Sequence, residues 1–226
     1  MKSFNIFCYL IISLLFITAC QSESSDSTAS GTETTQSTDA NGENNANAST
    51  TDASTTAKTI RVEGPGNVEI GRLEKKDGEY TIYCGGNKFV SITEGEKKRS
   101  YMLNDGSEIY TMKDRGSSFI MEETSTGRVL WQVFPTESGF SLKNDFIVSS
   151  VIVRKITDQS AKVIFNNQQI TTLNYKNGNH TVGVPQGNIL IQGEPYSIAY
   201  GIFGATIAVA PPHQMILLAE LLDREI

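Results

Sequence analysis

The strongest constraint on the fold is a short run near the C-terminus that has no wet side. Met215-Ile216-Leu217-Leu218-Ala219-Glu220-Leu221-Leu222 is apolar at every position except Glu220. Met, Leu, Ala and Glu are good helix formers. The preceding Pro211-Pro212 suits a first helical turn, where a missing N–H costs nothing. Eight residues make just over two turns, so the apolar side chains cover nearly the whole circumference. A helix of this kind is buried on all sides or spans a membrane. It is far shorter than the roughly 20 residues that spanning requires. No other convincing helix is present to pack against it, so a sheet must wrap around it.

The rest of residues 58–226 supplies such a sheet. Short runs rich in β-branched and aromatic residues alternate with turn signals: Asp77-Gly78, Gly85-Gly86-Asn87, Asp105-Gly106, Ser125-Thr126-Gly127, Asn166-Asn167 and Asn177-Gly178. Asp-Gly and Asn-Gly fit two-residue hairpins, where both central positions take positive φ. Val129, Trp131 and Val133 share one face, as do Ala161, Val163 and Phe165. The spacing predicts strands over 59–63, 68–75, 79–84, 88–93, 100–103, 108–113, 117–123, 128–134, 139–143, 147–156, 161–166, 169–175, 181–184, 188–192 and 203–210. The expected fold is all-β: an antiparallel meander closing into a barrel around one hydrophobic C-terminal helix. Cans of roughly eleven strands can enclose a helix, whereas about eight cannot. The competing arrangement is a β-sandwich, or two small β units, with the helix across one end.

The meander with its Asp105-Gly106 and Thr126-Gly127 turns, and the ending Ile207-Ala208-Val209-Ala210-Pro211 leading into Met215–Leu222, resembles the tubby-like superfamily. That group includes tubby C-terminal domains, phospholipid scramblases and LURP-one-related proteins. The resemblance covers most of residues 68–226 and implies a closed barrel of about twelve strands around a central helix. The basic cluster with which tubby domains hold phosphoinositides is matched at most by the fragment Lys97-Lys98-Arg99. The scramblase palmitoylation cysteines and calcium segment have no counterpart, so the family's ligand residues do not carry over.

The first 57 residues are of another kind. Lys2 precedes an apolar stretch, Phe4 to Ile17, broken only by Asn5 and Ser13. Its end, Ile17-Thr18-Ala19-Cys20, resembles the lipobox of bacterial lipoproteins. This implies a signal peptide over 1–20, cleavage between Ala19 and Cys20, and acylation (diacylglycerol and palmitate) of the Cys20 thiol. Its twelve apolar positions fall short of a membrane span. Residues 21–57 hold 17 Ser or Thr, six acidic residues and no Lys, Arg, aromatic or branched aliphatic side chain. Such a stretch cannot bury enough apolar surface to offset ordering entropy and is read as a disordered linker. As a coil it would reach roughly 30–36 Å, lifting the domain over 58–226 clear of a bilayer surface. The linker also accounts for most of the net charge of −6: beyond it, 19 acidic residues face 18 basic ones. A nearly neutral domain of this kind excludes the basic surface expected of a nucleic-acid binder.

Residues that carry chemistry are sparse. After export only Cys84 remains, in a strand-like run, and it reads as a buried structural thiol; no Cys/His spacing suggests a metal. His180 and His213 read as exposed, the first in a loop after Asn177-Gly178. Glu122-Glu123 are neighbours on a strand and face opposite sides, which rules them out as a same-face acid/base pair. The common catalytic motifs are absent, and no cofactor is expected. Lys97, Lys98 and Arg99 are the candidate ligand- or lipid-facing residues, with solvated turn charges as the alternative. The expectation is a lipid-anchored protein of the bacterial cell envelope, held outside the cytoplasm. Its β-rich module would bind a lipid, a glycan or an envelope protein, and no nucleic acid. An envelope enzyme acting on lipid or cell-wall material is the alternative.

Overall fold

The computed structural model describes residues 58–95, 98–144, 147–192 and 195–226. Ala19, Cys20, the linker 21–57 and Lys97 lie outside the described residues. Fourteen strands follow one another. They are β1 (Lys58–Glu63), β2 (Glu69–Lys76), β3 (Glu79–Cys84), β4 (Asn87–Thr93), β5 (Lys98–Leu103), β6 (Glu108–Asp114) and β7 (Phe119–Glu123). The second half holds β8 (Arg128–Thr136), β9 (Gly139–Asn144), β10 (Ile147–Thr157), β11 (Ser160–Phe165), β12 (Gln168–Lys176), β13 (Asn179–Val184) and β14 (Gly187–Gln192). Each pairs antiparallel with its sequence neighbours, and β14 returns to β1 through Arg61↔Gln192, Val62↔Ile191 and Glu63↔Leu190. The result is a closed barrel with two more strands than the twelve implied by the tubby-like resemblance. Closure leaves no strand edge to template aggregation.

Turn chemistry sets the meander. Asp77 and Gly78 take φ of 53° and 84°, Asn166 and Asn167 of 53° and 60°, and Asn177 and Gly178 of 53° and 79°. These pairs of positive φ belong to turns whose twist matches that of the flanking strands. Alternation then directs the side chains. Tyr80, Ile82 and Cys84 of β3 point inward and are buried, as do Ala161 and Val163 of β11 and Ile189 and Ile191 of β14. Outward positions are mostly polar. This is the reverse of a barrel that crosses a bilayer, whose outer band is apolar and whose lumen is polar. Among the described residues, no helix is long and apolar enough to cross a membrane.

Two antiparallel rods fill the lumen. A 3-10 segment, Ile198–Ala205, enters from one mouth with Ser197 capping it; the Ser197 hydroxyl accepts from the Ala199 N–H at 3.2 Å. A turn over 206–209 reverses the chain, and the α-helix Pro211–Asp223 runs back with both prolines in its first turn. Every residue from Gln214 to Leu221 is buried. Gln214 Nε2 donates to the Ile202 carbonyl at 3.2 Å, tying the rods together where no water can reach. The 3-10 segment approaches the wall closely through its glycines. A Cβ on Gly201 would lie 2.4 Å from Val153 Cγ1, and one on Gly204 would lie 2.6 Å from Thr171 Cγ2 and 2.7 Å from Val163 Cγ2. The barrel thus closes and fills its own core within the described residues, as an independent folding unit should.

Fourteen of the fifteen predicted strands are present, within two residues at either end. The exception is 203–210: Phe203–Ala205 complete the 3-10 segment, and the rest is turn. With β1 and β14 already paired, the sheet offers no place for another strand, and Ile207 projects into solvent.

Candidate functional site

The hairpins β2–β3, β4–β5, β6–β7, β8–β9, β10–β11 and β12–β13 all turn at the mouth where the helix ends, and the polar chemistry of the interior gathers there. Glu220, one turn before the helix end, is 1% exposed. Its Oε1 accepts from the Tyr101 hydroxyl at 2.7 Å and from Arg99 Nη1 at 3.1 Å, and its Oε2 accepts from Arg224 Nη2 at 3.2 Å. Arg99 Nη2 reaches Asp223 at 2.8 Å, and Asp223 also accepts from Lys75 at 2.8 Å and from the Tyr80 hydroxyl at 3.1 Å. Arg224 Nη1 lies 2.7 Å from Asp114, paired by charge without hydrogen-bond alignment.

Three cations and three carboxylates therefore fasten the last helical turn to β2, β5 and β6. Burial alone would raise the Asp223 carboxyl, but hydrogen bonds from Lys75 and Arg99 outweigh it and hold Asp223 below its usual range. Burial likewise opposes charge on Arg99, yet Glu220 and Asp223 win and bind its proton more tightly. The Tyr80 hydroxyl is pushed up to about 12, chiefly by burial, and Tyr101 well above its ordinary value for the same reason. Every charged group in this cluster is engaged by another. The arrangement clasps the helix and leaves no activated nucleophile or base.

Beside the clasp lies a cleft of about 480 Å³, walled by the β8–β9 hairpin, Lys155 of β10, the connection Tyr196–Ile198 and the helix end at Leu222, Glu225 and Ile226. Behind Tyr196 sits an aromatic cluster around buried His180 and Tyr200. The His180 ring lies 4.3 Å from Tyr200, 4.6 Å from Tyr175 and 6.0 Å from Tyr196, centroid to centroid. His180 is wholly buried, and neither ring nitrogen has a well-formed hydrogen bond among the described residues. Burial drives its pKa down to about 4, so the ring is neutral at physiological pH.

The opposite mouth holds His213, which accepts at Nδ1 from Trp131 Nε1 at 3.2 Å. That bond places the proton of the neutral ring on Nε2, 3.3 Å from the Tyr110 hydroxyl. Burial lowers the His213 pKa as well. A second cavity of about 380 Å³ at this end is lined by Tyr83, Cys84, Gly85, Gly86 and Lys88 among others. The Cys84 thiol is buried and pushed up to about 11 by desolvation, as expected of a structural cysteine.

The strand alternation splits the basic run. Lys98 points outward to Glu94 at 2.7 Å, while Arg99 points inward to the clasp; Lys97 lies outside the described residues. Lys98 and Arg99 nevertheless both border one small cavity of about 100 Å³, together with Glu220 and Asp223. Both histidines, read from the sequence as exposed, prove to be packed among aromatic rings. His180 belongs to β13, not to a loop, because the strand begins at Asn179, directly after the Asn177-Gly178 turn. Glu122 and Glu123 do face opposite ways, with Glu122 buried against Lys113. The clasp was not foreseen: its members come from residues 75, 99, 114, 220, 223 and 224, and only the break at Glu220 in an otherwise apolar run hinted at it. Among the described residues, no cluster of side chains suited to hold a metal ion occurs. No family model, curated protein or solved structure matches the chain.

Proposed function

We propose that the chain is a lipoprotein of a bacterial cell envelope, anchored through acylated Cys20 and carrying the barrel outside the cytoplasm as a binding module. The module is read as a relative of the tubby-like barrels. The observation that carries the binding reading is the filled lumen. Because the chain's own helix occupies the space where other barrels of comparable size house a ligand or a channel, recognition falls to the mouths. The helix-exit mouth is the better candidate, since it combines a cleft of ligand size with polar side chains that are not part of the clasp. The long hydrophilic linker supports the same reading, because it gives the module reach without imposing an orientation.

The anchor is tested by growing cells with labelled palmitate. The native chain is expected to take up label and Cys20→Ser to take up none; equal labelling of both would remove the lipoprotein assignment. The module is tested by passing envelope extracts over the immobilised chain. Saturable retention without turnover supports binding, whereas turnover abolished by a point substitution would make the protein an enzyme.

A further inference from the structure

The cleft beside the clasp carries an excess of acidic side chains. The exposed carboxylates of Glu137, at its β8–β9 wall, and of Glu225, just beyond the helix, have no ion-pair or hydrogen-bond partner among the described residues. The single cation lining the cleft, Lys155, is taken up by Asp158 at 2.5 Å. An anion entering the cleft would meet two unneutralised carboxylates. Ile198, Leu222 and Ile226 supply an apolar floor. Tyr196 supplies a half-buried ring whose hydroxyl is buried without a partner. Apolar floor, aromatic wall and acidic rim together suit a hydrocarbon chain that ends in a cation.

We infer that the cleft binds an alkylammonium group: a short aliphatic chain bearing a protonated primary amine, as in a lysine side chain or an aliphatic diamine. This rests on the reading of the barrel as a binding module and names the ligand chemistry of its mouth. The aliphatic part lies on Leu222, Ile198 and Ile226. The ammonium sits between Glu137 and Glu225, near the Tyr196 ring. The preference is opposite in sign to the phosphoinositide recognition that the tubby-like resemblance would imply.

The test uses the chain from Gln21 onward, which contains the whole barrel, titrated calorimetrically at low salt with n-hexylammonium, n-hexanol and hexanoate. Saturable binding of n-hexylammonium is expected, at least tenfold tighter than n-hexanol, with none for hexanoate. The double variant Glu137→Gln/Glu225→Gln should weaken n-hexylammonium binding at least tenfold, and raised salt should weaken it in the native chain. Tyr196→Leu should weaken it several-fold. Glu69→Gln, at the opposite mouth, should leave it unchanged. Thermal melts of each variant establish that the barrel is intact before its affinity is read. The inference is overturned if hexanoate binds as well as n-hexylammonium, or if the double variant keeps full affinity. Retention of an envelope component by the double variant as strongly as by the native chain would also overturn it, while leaving the binding module standing.

Discussion

Acidification from pH 7 to pH 5 should loosen the barrel, and one residue, His180, accounts for a defined part of the loss. His180 is fully buried among Tyr175, Tyr196 and Tyr200, and its pKa falls from 6.5 to about 4 because burial disfavours the imidazolium. An unfolded chain takes up this proton near pH 6.5, whereas the folded one resists it until about pH 4. The unfolded state therefore binds more protons throughout that interval, and stability falls as pH falls. The contribution is intact above about pH 6.5 and is lost progressively down to about pH 4. Between pH 7 and pH 5 the linkage amounts to about 2 kcal/mol, a large share of the 5–15 kcal/mol typical of a domain. His213, also lowered by burial, adds in the same direction. Urea unfolding at the two pH values measures the sum, and His180→Phe isolates the first part by keeping a ring that cannot charge. The native chain should lose about 2 kcal/mol more than the variant across this interval. Equal losses in both, or a His180 ring resonance that titrates near 6.5 in the folded protein, would refute the reasoning.

Other perturbations test the packing. Leu218→Asp sets an unpaired carboxylate in the middle of the lumen and should abolish the cooperative melt, since such burial costs several kcal/mol. Arg99→Leu leaves Glu220 buried with one cation fewer and should cost about 3 kcal/mol by chemical denaturation. Lys98→Leu, one residue away but outward-facing, should leave the melting temperature unchanged. Gly204→Ala forces a methyl to within 2.6 Å of Thr171 and should cost about 1–3 kcal/mol, measured in the same way.

The fold was largely legible because its signals are local. Six of the hairpins announce themselves by short turn signals, and the strands by β-branched and aromatic runs that alternate in places, so much of the meander could be read one unit at a time. The helix could be read because eight residues with one polar break leave no side for water. Where local signals mislead, a long-range constraint is responsible. Ile207 and Val209 alternate like strand residues, yet the barrel is already closed by β1 and β14, and that pairing joins positions some 130 apart in sequence. His180 follows a correctly read turn, but whether its side chain points inward depends on a strand start that the turn residues do not specify. The site was the least legible part. Arg99 lies 121 residues from Glu220, and Lys75 lies 148 residues from Asp223. No periodicity links such partners. The cleft is assembled from four separate segments, and its acidity depends on Lys155 being neutralised by a neighbour across a turn.

The whole account depends on the C-terminal helix being the core around which the sheet is built. Native-state hydrogen exchange at the amides of Met215–Leu222 tests this most directly. Enclosed by fourteen strands, those amides should exchange only when the entire barrel opens, as slowly as the central amides of β11 and with the same dependence on denaturant. Fast exchange from the helix while the strands stay protected would show a rod packed outside the sheet, and would contradict the structure at its centre.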